Sequence, residues 1–345
     1  MPSRHEPENW LASLEERASA VLAVEIYQYY RQGSRDGLAA AEAVSAWDRF
    51  RIAPRIFTDV TTVDLETDFL GFSAAAPFGI APTTLQRAAH REGEVAMATA
   101  AVSCGLPMVV SSNATATFAE IGGTGVAWWV QAYLPQERSL AIPMLEAAAS
   151  AGARAVVLTV DTPVVATKYD GGAVWHSTPA DWLRVNLGPA TDAPKARDLG
   201  PADVAWLHKV TGLPVVLKGV LRPEAAASAV VAGAAAVWVS NHGGRQLDRA
   251  VATADALPRI VERLNGSVPV YVDGGVRSGS TALAAIAAGA DGIFFGRLPL
   301  YGLAVAGSAG VRRTFDELIE ELGEALMLAG CDRPSTSHGL LEATS

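Results

Sequence analysis

From Ala76 onward the chain repeats one unit: a short apolar run, an Ala-rich amphipathic stretch, and a Gly that turns the chain into the next run. The apolar runs fall at 77–81, 107–111, 127–131, 155–160, 214–218, 235–240, 269–273 and 292–295. Helical spacing marks the stretches 92–103, 140–151, 223–232 and 280–288 between them. Apolar runs of strand length alternating with helices read as parallel strands joined by helical crossovers. Eight near-equal units, with no long break at a switch point, predict a closed α/β barrel of the (β/α)8 TIM type rather than an open doubly wound sheet. A chain of 345 residues can bury one large barrel core or two smaller ones. The even rhythm favours a single domain over 1–345.

Two regions stand outside the repeat. Residues 1–75 read as N-terminal helices and a hairpin. Apolar spacing predicts a helix over 11–33 that ends on Gly33 as its C-cap, and alternation over 61–72 predicts a short hairpin around Leu70-Gly71. After strand four, the connection from Val160 to Leu213 is far longer than its counterparts. Its part 165–205 reads as a lid or partner contact, or as partly disordered, because structureless loops of that length in compact domains are usually one of these.

Composition removes several function classes. The formal charge is −9 and no basic run occurs, which argues against a nucleic-acid surface. The two cysteines, Cys104 and Cys331, form no disulfide framework and sit in no metal-ligand spacing, so no metal site is expected and a reducing compartment fits. The start of the chain, Met1 to Glu8, is polar, and the longest apolar run (225–239) is interrupted by Ser and Gly. No membrane contact and a cytoplasmic location are therefore expected.

In a barrel of this kind, chemistry belongs where strands end. Each candidate strand delivers polar groups there: Thr83-Thr84, Ser111-Ser112-Asn113, Gln131 with Tyr133, Thr159 with Asp161, Lys218, Ser240-Asn241-His242, Asp273 to Arg277, and Gly296-Arg297. Any one could be a structural cap. Eight together are harder to explain so, since each unpaired buried polar group costs roughly 1–3 kcal/mol. The ends of strands seven and eight, with Gly275, Arg277, Gly296 and Arg297, read as a phosphate site. Lys218 ends an apolar strand, where a cation needs an anion. It suits either a Schiff base or the reduced, anionic form of an electron-rich ring such as a flavin. After strand six, His242 and Arg245 leave the strand three residues apart among glycines. A lone His after a strand is often structural. Beside a guanidinium it is also a base next to an anion clamp, the pair that oxidation of a 2-hydroxy acid requires.

The motif Ser240-Asn241-His242-Gly243-Gly244-Arg245-Gln246-Leu247-Asp248 resembles the active-site signature of the FMN-dependent 2-hydroxy acid oxidases and dehydrogenases. So do Ile80-Ala81-Pro82-Thr83, Leu158 to Pro163, Val216 to Gly219 and Asp273 to Arg277. The resemblance implies FMN as cofactor, an (S)-2-hydroxy acid as substrate, dioxygen or another acceptor for the reduced flavin, and a homotetramer. It implies that His242 is the general base, Asp161 its partner, Arg245 and Tyr29 the carboxylate grip, and Tyr133 the ligand of the reacting hydroxyl. Thr83, Thr84, Ser111, Gln131, Thr159, Lys218, Ser240 and Asp273 would line the flavin and its ribityl chain, with Gly275, Arg277, Gly296 and Arg297 at its phosphate. Two positions depart from the family pattern. Lys168 stands where an Arg normally helps bind the carboxylate, keeping the charge but losing the fork. Asn113 stands where glycolate oxidase has Trp, which suggests a differently shaped or more polar pocket and a bulkier, even aromatic, substrate. A barrel resembling inosine-monophosphate dehydrogenase would need a catalytic Cys on a strand-end loop, and neither Cys104 nor Cys331 stands on one. A non-catalytic flavin protein is the other alternative.

Overall fold

The computed structural model describes residues 9–170 and 172–342. The sequence-read start of the chain (Met1 to Glu8) and Gly171 lie outside the described residues. Eight parallel strands close into a barrel: β1 (Phe78–Ile80), β2 (Met108–Ser111), β3 (Trp128–Ala132), β4 (Val156–Thr159), β5 (Val215–Val220), β6 (Ala236–Val239), β7 (Val270–Asp273) and β8 (Gly292–Phe295). Every predicted run became a strand, because each is apolar on both faces: one faces the barrel interior, the other the helical ring. Val109, Trp129, Val157, Val216, Trp238, Tyr271 and Phe294 form the interior cluster. The Trp238 and Phe294 rings stack at 4.0 Å.

The predicted hairpin is present and shorter, pairing Thr67–Asp68 with Ser73–Ala74. Leu70 (φ 52°) and Gly71 (φ 85°) make its two-residue turn, with both residues in the left-handed region as a type I′ turn demands. The hairpin carries Phe69, fully buried, against Tyr271 (5.4 Å), Phe294 (5.6 Å) and Trp129 (6.3 Å). Phe69 also packs against Gly292, the first residue of β8, so it stoppers the barrel at the strands' N-terminal end. The opposite mouth is left for the site.

The single helix expected over 11–33 is corrected to two. Helix α1 (Trp10–Val21) stops where Leu22 and Ala23 turn extended, with ψ of 147° and 144°. Helix α2 (Val24–Arg31) then sets off in a new direction. Tertiary contact overrides the helical spacing: the Tyr30 hydroxyl donates to the Leu85 carbonyl at 2.6 Å, which ties α2 to the loop after β1. Gly33 is not a left-handed cap. The chain passes so close there that a Cβ would lie 2.9 Å from the Ala40 Cβ and 3.1 Å from the Gly244 carbonyl oxygen.

The long connection after β4 holds a short helix, Val174–Ser177, and an isolated antiparallel bridge between Pro135 and Lys195. It ends in α3 (Pro201–Thr211). The longest helix, α4 (Arg297–Leu328), starts at the end of β8 and is broken at Ala306 and Gly307. No helix among the described residues is long and apolar enough to cross a membrane, and none of their His, Cys, Asp and Glu side chains cluster as metal ligands.

Candidate active site

One cavity opens at the strands' C-terminal ends. His242 is held in its wall with φ 59°, a strained conformation for a residue with a Cβ and one that clusters at functional sites. Its Nδ1 lies 3.1 Å from Asp161 Oδ1. Asp161 just follows β4, and its neighbour on the adjoining strand is Gly219 at a bulge in β5. A Cβ at Gly219 would stand 2.7 Å from the Asp161 Cβ and Cγ, and φ there is 106°. The bulge and the missing side chain make room for the carboxylate.

Burial lowers the His242 pKa, and Asp161 opposes that without reversing it, so the resting imidazole is neutral. Burial pushes the Asp161 carboxyl up, but His242, Lys218 and Thr162 together hold it below the usual range. A carboxylate on Nδ1 puts the imidazole proton there and leaves Nε2 as the acceptor. His242 itself lines the cavity.

Arg245 projects along the same wall over the Tyr29 ring, at 5.0 Å. Its Nη1 donates to the carbonyls of Tyr29 (2.6 Å) and Gln32 (3.0 Å) at the end of α2, which anchors the N-terminal segment over the mouth. No acidic partner faces its guanidinium among the described residues. Lys168 lines the cavity, donates to the Ala166 carbonyl at 3.0 Å, and has its pKa lowered to about 8 by burial, Arg245 and Lys195. Burial, then Asp161, pushes the Tyr133 phenol well up, and burial likewise raises Tyr29, so both are hydroxyl donors.

Behind the wall, Ser240 joins three groups. It accepts from Lys218 Nζ (2.6 Å) and the His242 N–H (3.1 Å) and donates to Asp273 Oδ1 (2.7 Å), filling a hydroxyl's capacity. Lys218 also pairs with Asp273 at 2.9 Å. The predicted anion for Lys218 is therefore in part an internal one. A rail of polar groups continues across the strand ends: Thr84 donates to the Asn113 carbonyl (2.7 Å), Ser111 to Gln131 (3.2 Å), and Gln131 to Thr159 (3.0 Å). Thr83 stands on the same cavity wall.

Gly296, Arg277 and Arg297 also line the cavity, with Arg297 beside Arg245: both donate to the Tyr30 carbonyl, at 3.0 and 3.4 Å. Burial lowers Arg277, and burial with Arg245 and Arg277 lowers Arg297 to about 10. Arg297 donates to the carbonyls of Tyr30 (3.0 Å) and Gly243 (3.1 Å). Neither guanidinium has a carboxylate partner among the described residues, and Arg297 opens a 32-residue helix whose first turn carries no acid. Two partly buried cations without an anion, at a helix N-terminus, fit a phosphate dianion. Of the residues predicted for the site, Asp161, Ser240 and Gly275 do not line the cavity. Asp161 and Ser240 support those that do. Gly275 lies against the Ala43 carbonyl, where a Cβ would be 1.8 Å away.

Several lining residues escaped the sequence reading: Val165, Leu183, Lys195 and Leu300, with Tyr30 and Gln246 from segments read for other reasons. Trp175 caps Tyr29 edge-on at 5.6 Å. Trp128 is core, packed on Phe118 at 5.4 Å. Lys195 arrives from the long connection, its Nζ 3.7 Å from the Tyr133 ring centroid. Among the described residues the bridge to Pro135 puts it there, and no local signal marks that bridge.

An imidazole backed by a carboxylate, sharing a barrel mouth with two guanidinia that lack a carboxylate partner among the described residues, defines a barrel enzyme site with a general base and an anchor for a phosphate. The chain belongs to the FMN-dependent dehydrogenase family, whose model matches residues 18–340. It is 38% identical over 345 residues to an L-lactate oxidase of Nostoc sp., covering 94% of each chain. It is 38% identical over 323 residues to the glycolate oxidase of Spinacia oleracea, covering 89% of this chain and 88% of that one. A solved mandelate oxidase with benzoyl-formic acid superposes with a TM-score of 0.89 at 36% identity, over 97% of this chain and 98% of the other. The protein is thus an FMN-dependent 2-hydroxy acid oxidoreductase on a (β/α)8 barrel.

Proposed function

We propose that the protein oxidises an (S)-2-hydroxy acid to the 2-keto acid and passes the electrons to dioxygen, releasing hydrogen peroxide. Bound FMN supplies the two-electron acceptor. Arg277, Arg297 and Gly296 hold its phosphate; Thr83, Thr84, Ser111, Gln131, Thr159, Lys218 and Asp273 face the rest of it, with Ser240 behind them and Gly275 shaping the loop.

Arg245, with Lys168 and the Tyr29 hydroxyl, holds the substrate carboxylate and so fixes which face of the 2-carbon is presented. Tyr133 donates to the 2-hydroxyl, or to the carbonyl it becomes, and Asn113 borders the side chain. His242 Nε2 takes the proton released on oxidation, and Asp161 stabilises the imidazolium so formed. Oxidation removes two electrons and two hydrogens from the substrate: one hydrogen leaves as this proton, the other with the electrons. The carrying observation is the 3.1 Å Nδ1–Asp161 contact on an imidazole that burial keeps neutral.

Anaerobic mixing with a panel of hydroxy acids, followed by the loss of flavin colour, tests the reading. His242→Ala is expected to keep FMN and to lose its reduction by substrate. Unchanged reduction would reject the role. Peroxide detection under air separates dioxygen from a quinone or carrier acceptor. A cytoplasmic homotetramer is the assembly and place we propose with it, checked by light scattering and fractionation.

A further inference from the structure

The substrate half of the cavity holds more positive charge than one carboxylate uses. Arg245, Lys168 and Lys195 all line it. Neither lysine forms an ion pair among the described residues. The acid within electrostatic reach of Lys195 is Asp161, already engaged with His242. Lys195 is not a stray surface side chain. The bridge to Pro135 holds its backbone, flanked by hydrogen bonds from Gln136 N–H to the Pro194 carbonyl (2.8 Å) and from Ala196 N–H to the Leu134 carbonyl (2.9 Å). Its ammonium then lies on the Tyr133 ring, 3.7 Å from the centroid. Asn113 also lines the cavity, and it bonds through its backbone alone among the described residues, which leaves its side-chain amide without a hydrogen bond.

Resting on the 2-hydroxy acid reading above, we infer that Lys195 binds a second carboxylate at the far end of the substrate, and that the preferred substrates are 2-hydroxydicarboxylates. With Arg245 on the carboxylate next to the reacting carbon, Lys195 and Asn113 are left for the distal one, and Lys168 lies within electrostatic reach of both Arg245 and Lys195. Burial has brought both lysines down to about 8, the state of cations that lack an anion. A second carboxylate supplies it. On this inference the substrate's side chain is charged rather than aromatic, in keeping with the more polar pocket expected from Asn113.

The test compares (S)-2-hydroxyglutarate with (S)-2-hydroxyvalerate, a neutral acid of the same chain length, by anaerobic flavin reduction. The wild-type protein is expected to reduce its flavin more efficiently with the dicarboxylate, as the ratio of kcat/KM. Lys195→Met should lower that ratio by about 10- to 100-fold, the range of one charge-assisted hydrogen bond. Lys195→Arg should retain most of it. A wild-type ratio at or below one overturns the inference and leaves the oxidase reading standing. So does a Lys195→Met loss that falls equally on both acids. No reduction by any hydroxy acid overturns the reading on which the inference rests.

Discussion

At His242 two effects compete. Burial disfavours the imidazolium, and Asp161 at 3.1 Å favours it; burial prevails, and the pKa falls below its ordinary 6.5. A base must be neutral before it can accept a proton. In the free enzyme, kcat/KM should therefore lose activity on the acid side with a midpoint below 6.5. On the alkaline side the carboxylate-binding cations discharge. Lys168 and Lys195 stand at about 8, so kcat/KM should fall again above that value as KM rises. Asp161→Asn separates the two roles of the carboxylate. It removes the group that raises the His242 pKa, so the acid limb moves to still lower pH. It also leaves the imidazolium unsupported, so kcat drops by roughly 10²- to 10⁴-fold. A pH profile of both proteins reads both effects, and an acid limb that moves upward in the variant contradicts the assignment.

Among the elements, the eight strands were legible because each is a short run buried on both faces and punctuated by Gly, a local signal. The strand-end residues followed, since a barrel puts all such ends on one rim. The break at Leu22-Ala23 left no trace, for neither residue breaks a helix; the anchoring of Tyr30 to the Leu85 carbonyl imposes it from 55 residues away. Lys195 was illegible for a similar reason, its place depending on a single bridge to Pro135. The hairpin was readable from Leu70-Gly71, but its purpose was not, because no periodicity tells that Phe69 enters the barrel floor. Phe69 is fully buried among Trp129, Tyr271 and Phe294. Phe69→Ala should cost about 3–5 kcal/mol, as large-to-small changes in rigid cores do. Chemical denaturation measures that loss. Because the stopper sits at the end opposite the mouth, the midpoint of FMN binding should change little. A variant as stable as the wild type would mean that the hairpin is dispensable cover.

Taken whole, the molecule carries a net charge of −9 and yet gathers Arg245, Arg277, Arg297, Lys168, Lys195 and Lys218 at one mouth, with Asp161 and Asp273 behind it and Glu15 within electrostatic reach of Arg277 and Arg297. Like charges held together oppose folding until anions arrive, which makes the ligands part of the fold's stability. The guanidinia also tie distant segments. Arg297 reaches the carbonyls of Tyr30 and Gly243, and Arg245 those of Tyr29 and Gln32, so the end of α2, the loop after β6 and the start of α4 meet around these guanidinia. Anything that neutralises them should tighten all three. FMN added to the apoprotein is thus expected to raise the melting temperature in a concentration-dependent way, by about 2.7 kcal/mol of stability at a hundredfold excess over Kd. Among the described residues Arg277 makes no such ties, donating only to the carbonyl of the preceding Val276, so it isolates the phosphate contribution. Arg277→Met should weaken FMN binding by roughly 10- to 100-fold, the worth of a charge-assisted hydrogen bond. At a fixed FMN concentration its thermal shift should then be smaller than that of the wild type, whatever the melting temperatures of the two apoproteins. Equal shifts would take the phosphate away from Arg277.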